Sequence, residues 1–197
     1  IHQEDAVKIA GFDVARYGND KSQIVFRQGD HILGWQEYDS MGLVDLSGLA
    51  IDWVIRNKPD VLVIDGNGVG GGVVDILKSK INDIVDIVDF NGGYKGNDDR
   101  FLNLRAETWH NMKSWVQTTG VLPKEEIVEE LTDINYFMDN RNKLCLDSKD
   151  VLRRRGGASP DWGDALSMTF EDNAVRFRKK SRLSRKLGRR SSRGFVG

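Results

Sequence analysis

The sequence predicts an α/β domain with a mixed five-stranded central sheet, antiparallel over its first three strands and parallel thereafter, flanked by helices and carrying an added β-hairpin. Three observations lead there. The chain opens on apolar β-type runs joined by short polar turns, "AVKIAGFDVA" at 6–15 and "SQIVFRQGDHILGWQEY" at 22–38. Residues 43–57 then carry apolar side chains at the three-and-four spacing of helices. The later strands, "DVLVID" and "IVDIVDF", are short unbroken apolar stretches, as expected of parallel strands covered on both faces.

Taken in order, residues 22–38 divide at Gln28-Gly29-Asp30 into two strands that continue the first as a meander. Leu43, Leu46, Leu49, Ala50, Trp53 and Val54 recur at helical spacing and predict a crossover helix over 43–57, closed by "NKPD". "DVLVID" at 60–65 follows as an inner strand, and "GNGVGGG" turns the chain into a helix over 72–82. "IVDIVDF" at 84–90 supplies the fifth strand. Residues 91–100, "NGGYKGNDDR", read as a mobile loop. The helix predicted over 101–118 puts Leu104, Thr108, Met112, Trp115 and Val116 on one face. A short acidic helix, "PKEEIVEEL", a hairpin around Asp139–Asn142 and a basic loop, "KDVLRRRGGASP" at 149–160, come next. The last helix is expected from Pro160 to Val175, with Ser159 as its cap.

Length and composition set limits. A chain of 197 residues fills one core, so residues 1–175 are read as one domain and 176–197 as an appended tail. Hydrophobic content of 39% with five Trp and eight Phe excludes a disordered chain. No apolar run approaches the ~20 residues a bilayer span needs, so a soluble, non-membrane protein is expected. The N-terminal "IHQEDAVKIAG" has no secretion-signal pattern, and the sequence reads as a fragment. The single Cys145 excludes an internal disulfide and a cysteine zinc site, and suits a reducing compartment. The net charge of −1 conceals an asymmetry: all 30 acidic residues and 19 of the 29 basic ones precede Arg176, a net of −11 there. An acidic body repels nucleic acid unless basic clusters or bound cations intervene.

The acids that could carry chemistry stand at chosen places. Asp13 ends the first strand in "GFDVARYGND", with Asp20 seven residues on, and both also suit turns. Asp65 follows "VLVI" directly, at the carboxyl end of an inner parallel strand, where open α/β sheets place their ligands. Asp161 and Asp164, in "SPDWGDALSM", share a helix face at i and i+3. Favourable placement at a helix N-terminus accounts for Asp161. It accounts less well for Asp164, which sits beside Ala165, Leu166 and Met168, where an acid is costly to bury without a cation or donor. Gly163 between them points to close packing or to a path kept clear for substrate. A strand-one acid, a strand-four acid and a late helical pair converge if strands one and four are neighbours, and oxygen-only ligation suits Mg²⁺ or Mn²⁺. Trp109 and His110 lie in a helix whose packing accounts for the Trp, and neither is given chemistry.

The blocks "GFDVARYGNDKS", "VLVIDGNGVGGGVVDIL", "NLRAETW" and "SKDVLRRRGGASPDWGDALSMTF" together resemble the C-terminal nuclease domain of the large terminase subunit of tailed bacteriophages, a member of the ribonuclease H-like superfamily. The resemblance implies a ribonuclease H-like fold and a metal-dependent endonuclease that cuts concatemeric double-stranded phage DNA into packaged units. It implies Asp13 and Asp65 as metal-binding acids and the Asp161/Asp164 block as supplying the third ligand, with Asp20 auxiliary and two Mg²⁺ or Mn²⁺ ions per site. Lys149, Arg153, Arg154 and Arg155 are expected to hold DNA phosphates.

The same resemblance implies an N-terminal packaging ATPase, which these 197 residues do not contain: there is no G-x-x-x-x-G-K-[ST] run. It also implies a small terminase subunit as partner, and a place in the host bacterial cytoplasm at the procapsid portal. The tail, with Arg176, Arg178, Lys179, Lys180, Arg182, Arg185, Lys186, Arg189 and Arg190, is expected to dock on the portal ring, with DNA as its second candidate. Three alternatives stand beside this reading. A Holliday-junction resolvase shares a similar late acidic block, but generally carries Glu where Asp65 stands. An actin-like ATPase has a comparable glycine-rich turn. A non-catalytic docking module would use the acids for a structural cation.

Overall fold

The computed structural model describes residues 6–15, 21–118, 120, 122, 125–172 and 174. Strands β1 (Lys8–Asp13), β2 (Ser22–Gln28), β3 (His31–Tyr38), β4 (Val61–Asp65) and β5 (Asp86–Phe90) form one sheet in the order β3-β2-β1-β4-β5. β1 to β3 run antiparallel, and β4 is parallel to both β1 and β5. The register of β1 with β4 ends at Phe12 opposite Ile64, so Asp13 and Asp65, each one residue further, finish side by side at the same edge.

Both sheet faces are covered, and the alternation of side chains along the strands decides what meets what. Ala10, Phe12, Ile24, Phe26, Leu62 and Ile64 face α1 (Leu43–Asn57) and α2 (Gly70–Ile81). On the other face Val25 joins Trp109, Met112 and Trp115 of α3 (Leu104–Thr118) and Trp162, Ala165 and Leu166 of α6 (Asp161–Met168). Each large apolar side chain so buried contributes roughly 1.5–3 kcal/mol. β1 comes close to α6 at Gly11, where an added Cβ would lie 1.9 Å from the Ala165 carbonyl oxygen. The hairpin β6 (Tyr136–Met138) and β7 (Leu144–Leu146) forms a second, two-stranded sheet, tied to the main body by a bridge between Phe101 and Leu144.

Several elements differ from the expectation. Residues 149–154 are a helix, α5 (Lys149–Arg154), not a loop: the Ser148 side chain accepts the Val151 amide, and Gly156 at φ 81° ends it. Its basic composition hid these caps. The helix expected over 160–175 is interrupted: α6 stops at Met168, where Thr169 and Phe170 close a turn on Leu166 and Ser167, and Asp172 and Ala174 are helical again. Pro160, rather than Ser159, occupies the cap position of α6. The loop at 91–100 is fastened to α3, because the carbonyls of Tyr94 and Gly92 accept the amides of Leu104 and Arg105. α3 therefore starts at Leu104 instead of 101, α2 starts at Gly70 instead of 72, and Leu49 on α1 is 39% exposed. Among the described residues no helix is long and apolar enough to cross a membrane.

Candidate functional site

At the carboxyl edge of β1 and β4 lies a pocket of about 320 Å³, lined among others by Asp13, Asp65, Asn67, Asn103, Arg105, Ser148, Lys149 and Asp164. Each acid reaches it for a local reason. Asp13 and Asp65 are delivered by the parallel pairing of two strands that end together. Asp164 is delivered by α6, which can lie on β1 because Gly11 has no side chain. Close packing also explains Gly163: a Cβ there would stand 2.6 Å from the Trp109 ring. Asp161 is one turn earlier on the same face and is not part of the pocket wall.

The carboxylates are gathered round an ammonium. Lys149 Nζ, supplied by the first turn of α5, lies 3.2 Å from Asp13 Oδ2, 3.3 Å from Asp161 Oδ1 and 3.2 Å from Asp164 Oδ2. Burial works against its charge, yet the fields of Asp13, Asp164 and Asp161 outweigh that and raise its pKa. Burial pushes the Asp13 carboxyl up to about 7; Lys149 opposes the rise and Asp164, Asp161 and Asp65 add to it. Asp65 is raised as well, again mainly by burial, although the Asn67 amide donates to its Oδ1 at 3.0 Å. Asp164 goes the other way: burial would raise it, but Arg105 and Lys149 hold it below the ordinary carboxylate range.

Residues the sequence reading left without a role complete the site. Arg105 Nε and Trp109 Nε1 both donate to Asp164 Oδ1, each at 2.8 Å. They stand four apart on one face of α3, the spacing by which they could have been found in "NLRAETW". Glu130, on α4 (Glu125–Asp133), accepts the Gly163 amide at 2.8 Å and so caps α6 from a neighbouring helix. Burial lifts its carboxyl to about 8; the Gly163 amide opposes this, and Asp161 and Asp164 reinforce it.

A folded-state pKa above the unfolded value means the native protein holds a proton that the unfolded chain releases. The cost of Glu130 therefore grows as pH rises from about 4.5 to about 8. Glu130→Gln, which keeps the acceptor and removes the charge, is expected to melt near the wild type at pH 5 and progressively above it towards pH 8. Parallel thermal melts across that range check it, and equal pH slopes would contradict it.

Of the basic residues expected to hold phosphates, Lys149 is inside the acid cluster. Arg155 is committed to the hairpin: its Nη2 lies 2.8 Å from Asp147 Oδ2 and donates to the Asp133 carbonyl. Arg153 and Arg154 are exposed on α5. Asp20 and the tail residues Arg176, Arg178, Lys179, Lys180, Arg182, Arg185, Lys186, Arg189 and Arg190 lie outside the described residues.

The donor set at the pocket is carboxylate oxygen, the chemistry that hard divalent cations take. Among the described residues no three acid, imidazole or thiol groups close tightly enough to cage an ion as they stand. The Lys149 ammonium occupies the space between them. It is a positive charge enclosed by three carboxylates, and in that respect it stands in for a cation.

No protein-family model matches the chain, and no curated protein matches it in sequence. Solved structures do match it in fold. A point mutant of the nuclease domain of the large terminase subunit gp2 of bacterial virus Sf6, with manganese and β-thujaplicinol, has a TM-score of 0.69 at 20% identity, over 83% of this chain and 87% of that one. The unmutated gp2 nuclease domain has a TM-score of 0.65 at 20% identity, with the same coverage. The large terminase nuclease from thermophilic phage G20c with bound magnesium has 0.62 at 13% identity, over 85% and 82% of the two chains. The mixed sheet with its flanking helices and extra hairpin is thus the ribonuclease H-like fold of terminase nuclease domains.

Proposed function

We propose that this chain is the divalent-metal-dependent endonuclease domain of a phage DNA-packaging motor, cutting double-stranded DNA by phosphodiester hydrolysis. The observation that carries the reading is the meeting of Asp13, Asp65 and Asp164 in one pocket, on a fold shared with terminase nuclease domains. Asp13, Asp65 and Asp164 would hold two Mg²⁺ or Mn²⁺ ions, Asp161 would anchor Lys149 at the rim, and Asp20 would be auxiliary. When bound, such ions supply an acidified water and positive charge opposite the departing oxygen of a phosphodiester.

The protein's own part is to hold and orient. The strand ends fix Asp13 and Asp65, Arg105 and Trp109 fix Asp164, and Glu130 fixes the helix that carries it. Arg153 and Arg154 on α5, with Lys149 at its start, offer positive charge to a DNA backbone beside the pocket, contacts that are salt-dependent and carry no sequence information. Arg155 contributes by pinning the hairpin.

The net of −11 over residues 1–175 opposes DNA, so this chain without a partnering ATPase should cut weakly and without sequence preference. Plasmids of unrelated sequence incubated with Mn²⁺ or Mg²⁺ should be linearised and degraded at similar rates, and EDTA should stop the reaction. Cutting that survives EDTA would refute the metal chemistry. We extend the proposal to residues 176–197 as a portal-docking tail, with residues 1–175 as the folded nuclease. A pull-down by portal rings, with and without those residues, reads this out, and unchanged capture would refute it. The wider setting, with a small terminase subunit and an N-terminal packaging ATPase domain at the procapsid, belongs to the same proposal.

A further inference from the structure

Asp164 does not present its two oxygens alike. Oδ1 accepts from Arg105 Nε and from Trp109 Nε1, each at 2.8 Å. Oδ2 lies 3.2 Å from Lys149 Nζ, with the second Arg105 nitrogen, Nη2, at 3.4 Å, beyond the usual range for such a bond. The two donors on Oδ1 are themselves held. Arg105 Nη1 donates to the Asp147 carbonyl at 3.0 Å, and its guanidinium lies 5.5 Å from the Trp109 ring centre. Trp109 is 1% exposed and backs onto Gly163, where no side chain would fit. A carboxylate oxygen has about two lone-pair sites. Those of Oδ1 are filled by two donors at 2.8 Å, whereas Oδ2 faces the Lys149 ammonium and, at the longer distance of 3.4 Å, Arg105 Nη2.

We propose that Arg105 and Trp109 are a positioning pair that commits Asp164 to bind a divalent cation through Oδ2 alone, and that this sets the site against calcium. The inference rests on the function proposed above. Ca²⁺ takes six to eight oxygens and often uses both oxygens of one carboxylate, whereas Mg²⁺ demands a compact octahedron. Denying the second oxygen removes a ligand that calcium would use and the smaller ions would not. Partners behind metal ligands typically alter metal affinity about 10- to 100-fold when removed, and here the change should fall unequally on the two kinds of ion.

The test is calorimetric titration of the 197-residue chain with Mn²⁺ and, separately, Ca²⁺, for the wild type, Trp109→Phe and Arg105→Lys. Trp109→Phe keeps a buried ring and loses only the N–H. Arg105→Lys keeps the charge and loses the fork, at a side chain that is 19% exposed. In each variant the ratio of calcium to manganese dissociation constants should fall about tenfold, with thermal melts confirming the fold. Should one variant fail to fold, the other decides. A ratio unchanged in the folded variants, with the wild type binding Mn²⁺, overturns the positioning role. A wild-type chain that binds neither ion overturns the proposed function instead.

Discussion

Asp65→Asn is expected to abolish Mn²⁺-dependent cleavage of plasmid DNA, by about a thousandfold or more, while the protein stays folded. The side chain ends an inner strand and is half-buried at the pocket wall. Its local bond is the Asn67 amide on Oδ1, which an asparagine oxygen would still accept. Burial already raises its pKa, so removing the charge relieves a cost and should not harm the fold. What disappears is an anionic oxygen beside Asp13. If bound cations contribute several kcal/mol to the chemical step, and each ~1.4 kcal/mol is a factor of ten, losing their seat gives the stated fall. Retained cleavage in the folded variant would remove Asp65 from the site, and with it the reading of the β1–β4 edge.

Gly11→Ala is expected to produce a large loss of stability from one added methyl group. The new Cβ would lie 1.9 Å from the Ala165 carbonyl oxygen and 3.0 Å from its carbon, backbone atoms that cannot swing aside as a side chain can. β1 and α6 must separate, or α6 must shift along the sheet. Overpacking of this kind costs roughly 1–3 kcal/mol, which lowers the melting temperature of a chain this size by about 2–12 °C. Because β1 carries Asp13 and α6 carries Asp164, cleavage should fall further than the melting point alone explains. A variant that melts with the wild type would mean that β1 and α6 do not meet as closely as described.

Much of this was legible in the residues. The turn at Gln28-Gly29-Asp30 between two β-type runs and the apolar run of β4 located the strands, and an acid at the end of each of two neighbouring strands located the pocket edge. "SPDWGDALSM" identified α6, and the doubt about Asp164 as a mere helix-end charge pointed to the deeper of its two acids: Asp164 is on the pocket wall and Asp161 is not. Three things were not legible, two of them because the deciding partner is distant in sequence. Trp109 looked like packing, and it does pack, but its N–H meets an acid 55 residues away. Glu130 looked like one of many acids on an amphipathic helix until α6 supplied an unpaired amide. Lys149 looked like the start of a basic loop, because the Ser148 cap that makes it the first residue of a helix is a weak signal beside three consecutive arginines.

The central claim is that Asp13, Asp65 and Asp164 share divalent cations. Its most direct test is the anomalous scattering of manganese in a crystal of this chain soaked with Mn²⁺. Manganese peaks are expected between Asp13 and Asp65, with Asp164 Oδ2 turned to an ion and the Lys149 ammonium moved from the space it fills among the carboxylates. Manganese bound elsewhere, with Lys149 unmoved between Asp13, Asp161 and Asp164, would contradict it.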